Sequence, residues 1–205
     1  FPKVAIIDPE LMTSVPAGVT AATGFDAFTH AFESFLGGRI SPLTKQMSFQ
    51  AIELVLDNLP KAIKEPNNLE YRTQLAWADT LAGMCLSNGG ADLPHPLGEI
   101  IGGICPRIAH GETLAMVYPS FLEHKKNIAP DKFKEIAVFL GLKKDPSELS
   151  SKIIELLSIT ELSNASKRAE LTQEEKNEIL THPLLTKLEP KNTDEIVNIM
   201  KKSII

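Results

Sequence analysis

The sequence predicts a mainly α-helical domain, on three observations. Apolar residues recur at three- and four-residue spacing in segments from about residue 21 to residue 203. Capping residues ahead of those segments, and Gly or Pro behind them, punctuate most of the pattern. Beyond the opening residues, no segment alternates with the period of two that a half-buried strand requires.

The elements follow in order. Phe1 to Pro9 carries the apolar run Val4-Ala5-Ile6-Ile7 closed by Asp8-Pro9, which predicts a short buried strand stopped by a turn. A lone strand cannot pair its own backbone, so residues 1–15 are expected to be a strand and linker belonging to an upstream domain, and 16–205 the helical domain. Thr20 is the expected cap of a helix over Ala21 to Leu36, with Phe25, Phe28, Phe32, Phe35 and Leu36 on one face. Ser41-Pro42 opens a second helix, striped by Met47, Ala51, Val55 and Leu59 and expected to end at Pro60. A third runs from Leu69 to Leu86, stopped by Asn88-Gly89-Gly90. Residues 93–111 hold Pro94, Pro96, Gly98, Gly102, Gly103, Pro106 and Gly111 and are expected to be irregular. Further helices are predicted near 112–127, 131–140, 146–158, 172–181 and 193–203.

With 43% hydrophobic and 23% charged residues among 205, the chain can bury a core, which excludes disorder and collagen-like structure. No apolar stretch approaches the roughly 20 residues of a membrane helix. A net charge of −5 supplies no electrostatic reason for a nucleic acid or an anionic membrane as partner. Two cysteines, Cys85 and Cys105, suit a reducing, cytoplasmic setting rather than a disulfide framework. The chain starts at Phe1, without an initiator Met or a signal pattern, and is read as a piece of something longer. Residues 1–110 carry 7 basic and 11 acidic side chains against 14 and 15 in the remainder, so the sparsely charged first part is where a dry site is sought.

Five histidines are present. Asp26 and His30 stand four apart on the predicted first helix, where a carboxylate and an imidazole share a face and can converge on one cation. That chemistry suits Fe²⁺ or Zn²⁺. The same spacing also fits a polar stripe of Asp26, Thr29, His30 and Glu33 opposite the Phe face. His95 and His110 lie in Gly/Pro-rich, nearly uncharged surroundings and could be ligands or surface loop residues. His124, among Glu123, Lys125 and Lys126, is expected on a solvated helix end, and His182 in a loop. Gly89-Gly90 and Gly102-Gly103 lack the strand-to-helix setting of a phosphate cradle. Cys85 is expected to pack, and Cys105 stays open.

The string Ile7-Asp8-Pro9-Glu10-Leu11-Met12, then Val15-Pro16, then Ala21-Ala22-Thr23-Gly24-Phe25-Asp26-Ala27-Phe28-Thr29-His30-Ala31-Phe32-Glu33, resembles the iron-containing (group III) alcohol dehydrogenase family. His95-Pro96-Leu97-Gly98 and His110-Gly111-Glu112 extend the likeness, which is strongest over 3–120. The resemblance implies the helical C-terminal domain of the dehydroquinate synthase-like, iron-containing alcohol dehydrogenase fold. It implies a metal held by one Asp and three His. Asp26, His30 and His110 match directly, and His95 fills the remaining place by its spacing to the last ligand. Aligned instead on His-Pro-Leu-Gly, the family pattern would put Ala91 there, which cannot bind. Glu99 then occupies the position of a second family His, as a proton relay.

The activity implied is hydride transfer between a small alcohol or aldehyde and NAD or NADP. The nucleotide would be held by an N-terminal domain with a Gly-Gly-Gly-Ser-type phosphate loop ahead of Phe1. Fe²⁺ is the metal the family implies, though the ligand set would accept Zn²⁺. The fragment alone is expected to be inactive, and the whole protein to be a homo-oligomer, a dimer. The rival readings are a zinc-dependent glycerol-dehydrogenase-like or dehydroquinate-synthase-like enzyme, and a non-catalytic helical module whose metal site has decayed.

Overall fold

In the computed structural model, residues 3–37, 40–188 and 192–205 are described. Asp8 Oδ1 accepts from the Glu10 N–H and opens a 3-10 turn over Pro9–Met12, the turn that Asp-Pro predicts. The preceding Lys3–Asp8 is not a strand; Phe1 and Pro2 lie outside the described residues. A strand exists only when a neighbour takes its backbone hydrogen bonds, and none of the described residues does so. Val4 and Ile6 are accordingly 76% and 90% exposed.

Helix α1 (Ala17–Leu36) starts a turn earlier than expected, behind Pro16 rather than Thr20. Thr20 has a different duty. Its hydroxyl accepts from Nη1 of the buried Arg72 at 2.8 Å, while Nη2 reaches the Val15 carbonyl at 3.1 Å and Nε the Pro66 carbonyl at 2.9 Å. The guanidinium thereby fastens α3 (Leu69–Gly89) to the start of α1. Helix α2 (Pro42–Lys64) opens with the predicted cap: Ser41 and Thr44 satisfy each other's backbone N–H groups. It runs through Pro60 instead of stopping there. An interior proline costs about 3 kcal/mol; the helix nonetheless continues for another turn, which buries Ala62 completely. Helix α3 ends at Gly90, whose φ of +77° only glycine adopts without strain.

Residues 93–111, expected to be irregular, contain helix α4 (Pro94–Ile104). Pro94 and Pro96 fall in its first turn, where backbone N–H groups have no intrahelical partner to lose. Then come α5 (His110–Ile128), α6 (Pro130–Phe139), α7 (Pro146–Ile159), α8 (Ala165–Ala169), α9 (Gln173–Leu180), α10 (Leu185–Leu188) and α11 (Thr193–Ser203). Helix α8 and helix α10 are short and carry no periodic signal of their own.

Helix α1 is the central member, packed against α2, α3 and α5. Its Phe25, Phe28 and Phe32 are fully buried, each burial contributing about 1.5–3 kcal/mol. Tyr118 of α5 meets Phe25 edge-on at 5.0 Å between centroids, and Phe133 of α6 meets Phe32 at 5.6 Å. Lys132 of α6 caps the other end of α1 by donating to the Phe35 and Leu36 carbonyls. Helix α11 closes the far side of α5. There His124 is buried, not solvated: its Nδ1 donates to Glu195 Oε1 at 2.6 Å. Packing of α11 over the last turns of α5 removes the solvent that a charged neighbourhood suggested.

Candidate metal centre

Asp26 and His30 leave α1 one turn apart, with His30 Nε2 3.4 Å from Asp26 Oδ1. His95 comes from the first turn of α4, its Nε2 3.5 Å from the same oxygen. His110 is the first residue of α5 and brings its Nε2 to 3.8 Å from it. The rings of His30 and His95 stack at 4.8 Å, and those of His95 and His110 meet edge-on at 5.4 Å. The structure thus brings together all four residues that the sequence singled out. Ligand atoms of Asp26, His95 and His110 lie within 4.8 Å of one another. His30 borders that trio through Asp26 and the stacked ring.

Close backbone packing puts His110 in place. A Cβ on Gly111 would stand 2.0 Å from the Ala22 carbonyl oxygen, so only glycine lets α5 begin against α1. Gly98 does the same between α4 and α5, where a Cβ would lie 2.9 Å from Thr113 Oγ1. Thr29, one turn below Asp26, donates its hydroxyl to the Asp26 carbonyl at 2.8 Å.

The electrostatics follow from burial set against charge. Burial alone would raise the Asp26 carboxyl, but the imidazole of His95 beside it, together with His30 and His110, holds it below the usual range. Burial lowers His30, with Asp26 pulling the other way and His95 and His110 adding to the drop. His95 also loses by burial, yet Asp26 and Glu33 together lift it to about 9. Glu33, fully buried, is pushed up to about 7 by desolvation, opposed chiefly by His95.

The donor set fits a divalent ion. Metal–ligand bonds of about 2.1 Å in a tetrahedral shell place ligand atoms about 3.4 Å apart, close to the 3.4, 3.5 and 3.8 Å spacings about Asp26 Oδ1. His95 Nε2 is buried and has no hydrogen-bond partner among the described residues. One side remains open, because the His110 side chain is 43% exposed. Asp26 and His110 line a cleft of about 580 Å³ together with Thr23, Ala22 and Thr160.

Glu99 stands one turn after His95 on α4, exposed, with no hydrogen bond or ion pair to any of the four. Sequence reasoning missed the importance of Glu33, assigned above to a polar stripe. Counted from Phe25 it falls at i+8, inside the apolar face, and a charged residue there is the signal that finds it. Cys85 packs as expected, its thiol donating to the Thr44 carbonyl. Cys105 is buried as well, beside the Arg107–Glu175 pair rather than among the four.

An aspartate and three histidines from three helices, open on one side to a cleft, define a helical domain built around a candidate divalent-metal centre. The chain belongs to the Fe-containing alcohol dehydrogenase family, whose C-terminal model matches residues 20–204. It is 36% identical over 140 residues to an NAD-dependent methanol dehydrogenase of Bacillus methanolicus, covering 68% of this chain and 36% of that protein. Over 141 residues it is 38% identical to a 1,3-propanediol dehydrogenase of Citrobacter freundii, covering 69% and 36%. The chain spans about a third of the length of these curated relatives. Among solved structures, a 1,3-propanediol oxidoreductase superposes with a TM-score of 0.85 at 28% identity, covering 99% of this chain and 56% of that one. A sulfoacetaldehyde reductase from Bifidobacterium kashiwanohense, solved with NAD⁺, gives 0.86 at 28%, covering 100% and 55%.

Proposed function

We propose that this chain is the metal-holding half of an NAD(P)-dependent alcohol dehydrogenase, with Asp26, His30, His95 and His110 as ligands. The observation that carries the reading is the convergence of three imidazoles on one Asp26 oxygen, with the His95 Nε2 buried and unpaired. Fe²⁺ is the preferred ion by family, and Zn²⁺ suits the same donors. A dication held there supplies Lewis acidity toward an alcohol or aldehyde oxygen during hydride transfer.

The chain's own residues do the rest. Asp26 supplies one negative charge so that the site does not become too cationic, and the three imidazoles bind as neutral ligands. His110, at the exposed rim, leaves the cleft side free for a small substrate. Glu99, at the next turn of α4, is the proposed route for the hydroxyl proton to solvent. The nucleotide belongs to a domain joined through residues 1–15, and the assembled protein to a cytoplasmic homodimer. The compartment is supported by two free, buried cysteines, and the dimer by resemblance alone. No helix among the described residues is long and apolar enough to cross a membrane.

Metal analysis tests the reading. Anaerobically purified protein should carry a stoichiometric divalent ion. His95→Ala should weaken binding by more than the roughly 10–100-fold that an outer hydrogen-bond partner is worth. Protein with all four ligands intact and no stoichiometric ion would overturn it. Unchanged affinity in His95→Ala would instead favour a decayed site.

A further inference from the structure

Glu33 is fully buried in the apolar face of α1. Its Oε2 accepts from His95 Nδ1 at 2.8 Å and from the Asp92 backbone N–H at 2.9 Å. Asp92 is held in turn: its Oδ1 accepts from the Leu93 N–H at 2.8 Å, and Lys125 Nζ lies 2.5 Å from its Oδ2. Lys125 is on α5 and 13% exposed, so the chain Lys125, Asp92, Glu33, His95 links the flank of α5 to the cluster.

We propose that Glu33 is the positioning residue of the metal centre, locking His95 with its Nδ1–H on the carboxylate and its Nε2 lone pair on the ion, and that the Lys125–Asp92 pair fixes Glu33. The proposal rests on the metal reading above. The physical reason is the cost of burying a carboxylate: one left in an aromatic face without a partner is strongly disfavoured. His95 is its side-chain partner. An imidazole whose Nδ1 proton is committed in this way has one nitrogen left, and that nitrogen faces Asp26 Oδ1.

The test compares Glu33→Ala, Glu33→Gln and Lys125→Met in the purified protein, with Zn²⁺ as probe. Affinity is read by competition with a chelating dye, and the His95 Nδ1–H by ¹⁵N NMR of the Zn²⁺-loaded protein. Glu33→Ala should weaken Zn²⁺ binding about 10–100-fold and lose the protected Nδ1 proton. Glu33→Gln, whose amide oxygen still accepts that proton, should recover most of the affinity. Lys125→Met should show a smaller loss with the ligands untouched, and with Glu33→Gln it carries the test if Glu33→Ala fails to fold. Affinity in Glu33→Ala equal to wild type overturns the inference alone, as does Glu33→Gln behaving no better than Glu33→Ala. Wild-type protein that binds no Zn²⁺ overturns the metal reading and this inference with it.

Discussion

At position 111 a methyl group has nowhere to go, because the Ala22 carbonyl oxygen already occupies its place. The obstacle is backbone on both sides, so relief requires α5 to move away from α1 and to take His110 with it. Gly111→Ala should therefore cost about 3 kcal/mol, the upper end of the usual overpacking range, and should also weaken metal binding. Gly83 is the control. It lies inside α3, and a Cβ there meets nothing within 4 Å. Gly83→Ala should leave metal binding unchanged and add about 0.5–1 kcal/mol by removing glycine from a helix interior. Denaturant unfolding of both variants decides the matter: similar stabilities would contradict the packing account. Of the site residues, Asp26 and His30 were legible as a pair from spacing within one helix. The partner of His95 was not, because Glu33 lies 62 positions away from it.

The helices themselves differ in how plainly local chemistry announces them. Helix α2 is announced by Ser41 and Pro42, and in the structure Thr44 completes a capping box with both of its hydrogen bonds. Ser41→Ala should lower stability by about 1 kcal/mol, within the range measured for lost N-caps. No loss of stability would mean that packing alone sets the start of the helix. Helix α9 uses the same device through Thr172 and Glu175. Helix α4 is announced by nothing of the kind. Its prolines and glycines argue for a loop, yet each is tolerated where it stands, the prolines in the first turn and Gly98 against Thr113 and Leu114. The opening apolar run has strand chemistry but no pairing partner among the described residues, and so it forms no strand.

Considered as one molecule, the domain gathers the candidate metal centre from α1, α4 and α5, which are joined by loops and a whole intervening pair of helices. An ion bound by all three is a cross-link present only in the folded state, so mass action must stabilise the fold. Zn²⁺ at 100 times its dissociation constant should add about 2.7 kcal/mol and raise the melting temperature. A chelator should reverse the gain, and His95→Ala should abolish it. A melting temperature indifferent to metal in the wild type would separate the four residues from the function proposed for them. Among the described residues ahead of α1, the exposed large apolar side chains are Val4, Ile6, Ile7 and Leu11, in the segment proposed to join the nucleotide-binding half.

Periodicity and capping act over one or two turns, and for that reason the helical class, most helix limits and the Asp26–His30 pair could be read along the chain. The ligand roles proposed for His95 and His110 came from likeness to a family. Whether those imidazoles meet, and whether Glu33 faces solvent or the core, depends on how α1, α4 and α5 pack. No local pattern carries that information, because the distances concerned are spanned by side chains and backbone contacts between residues far apart in the chain.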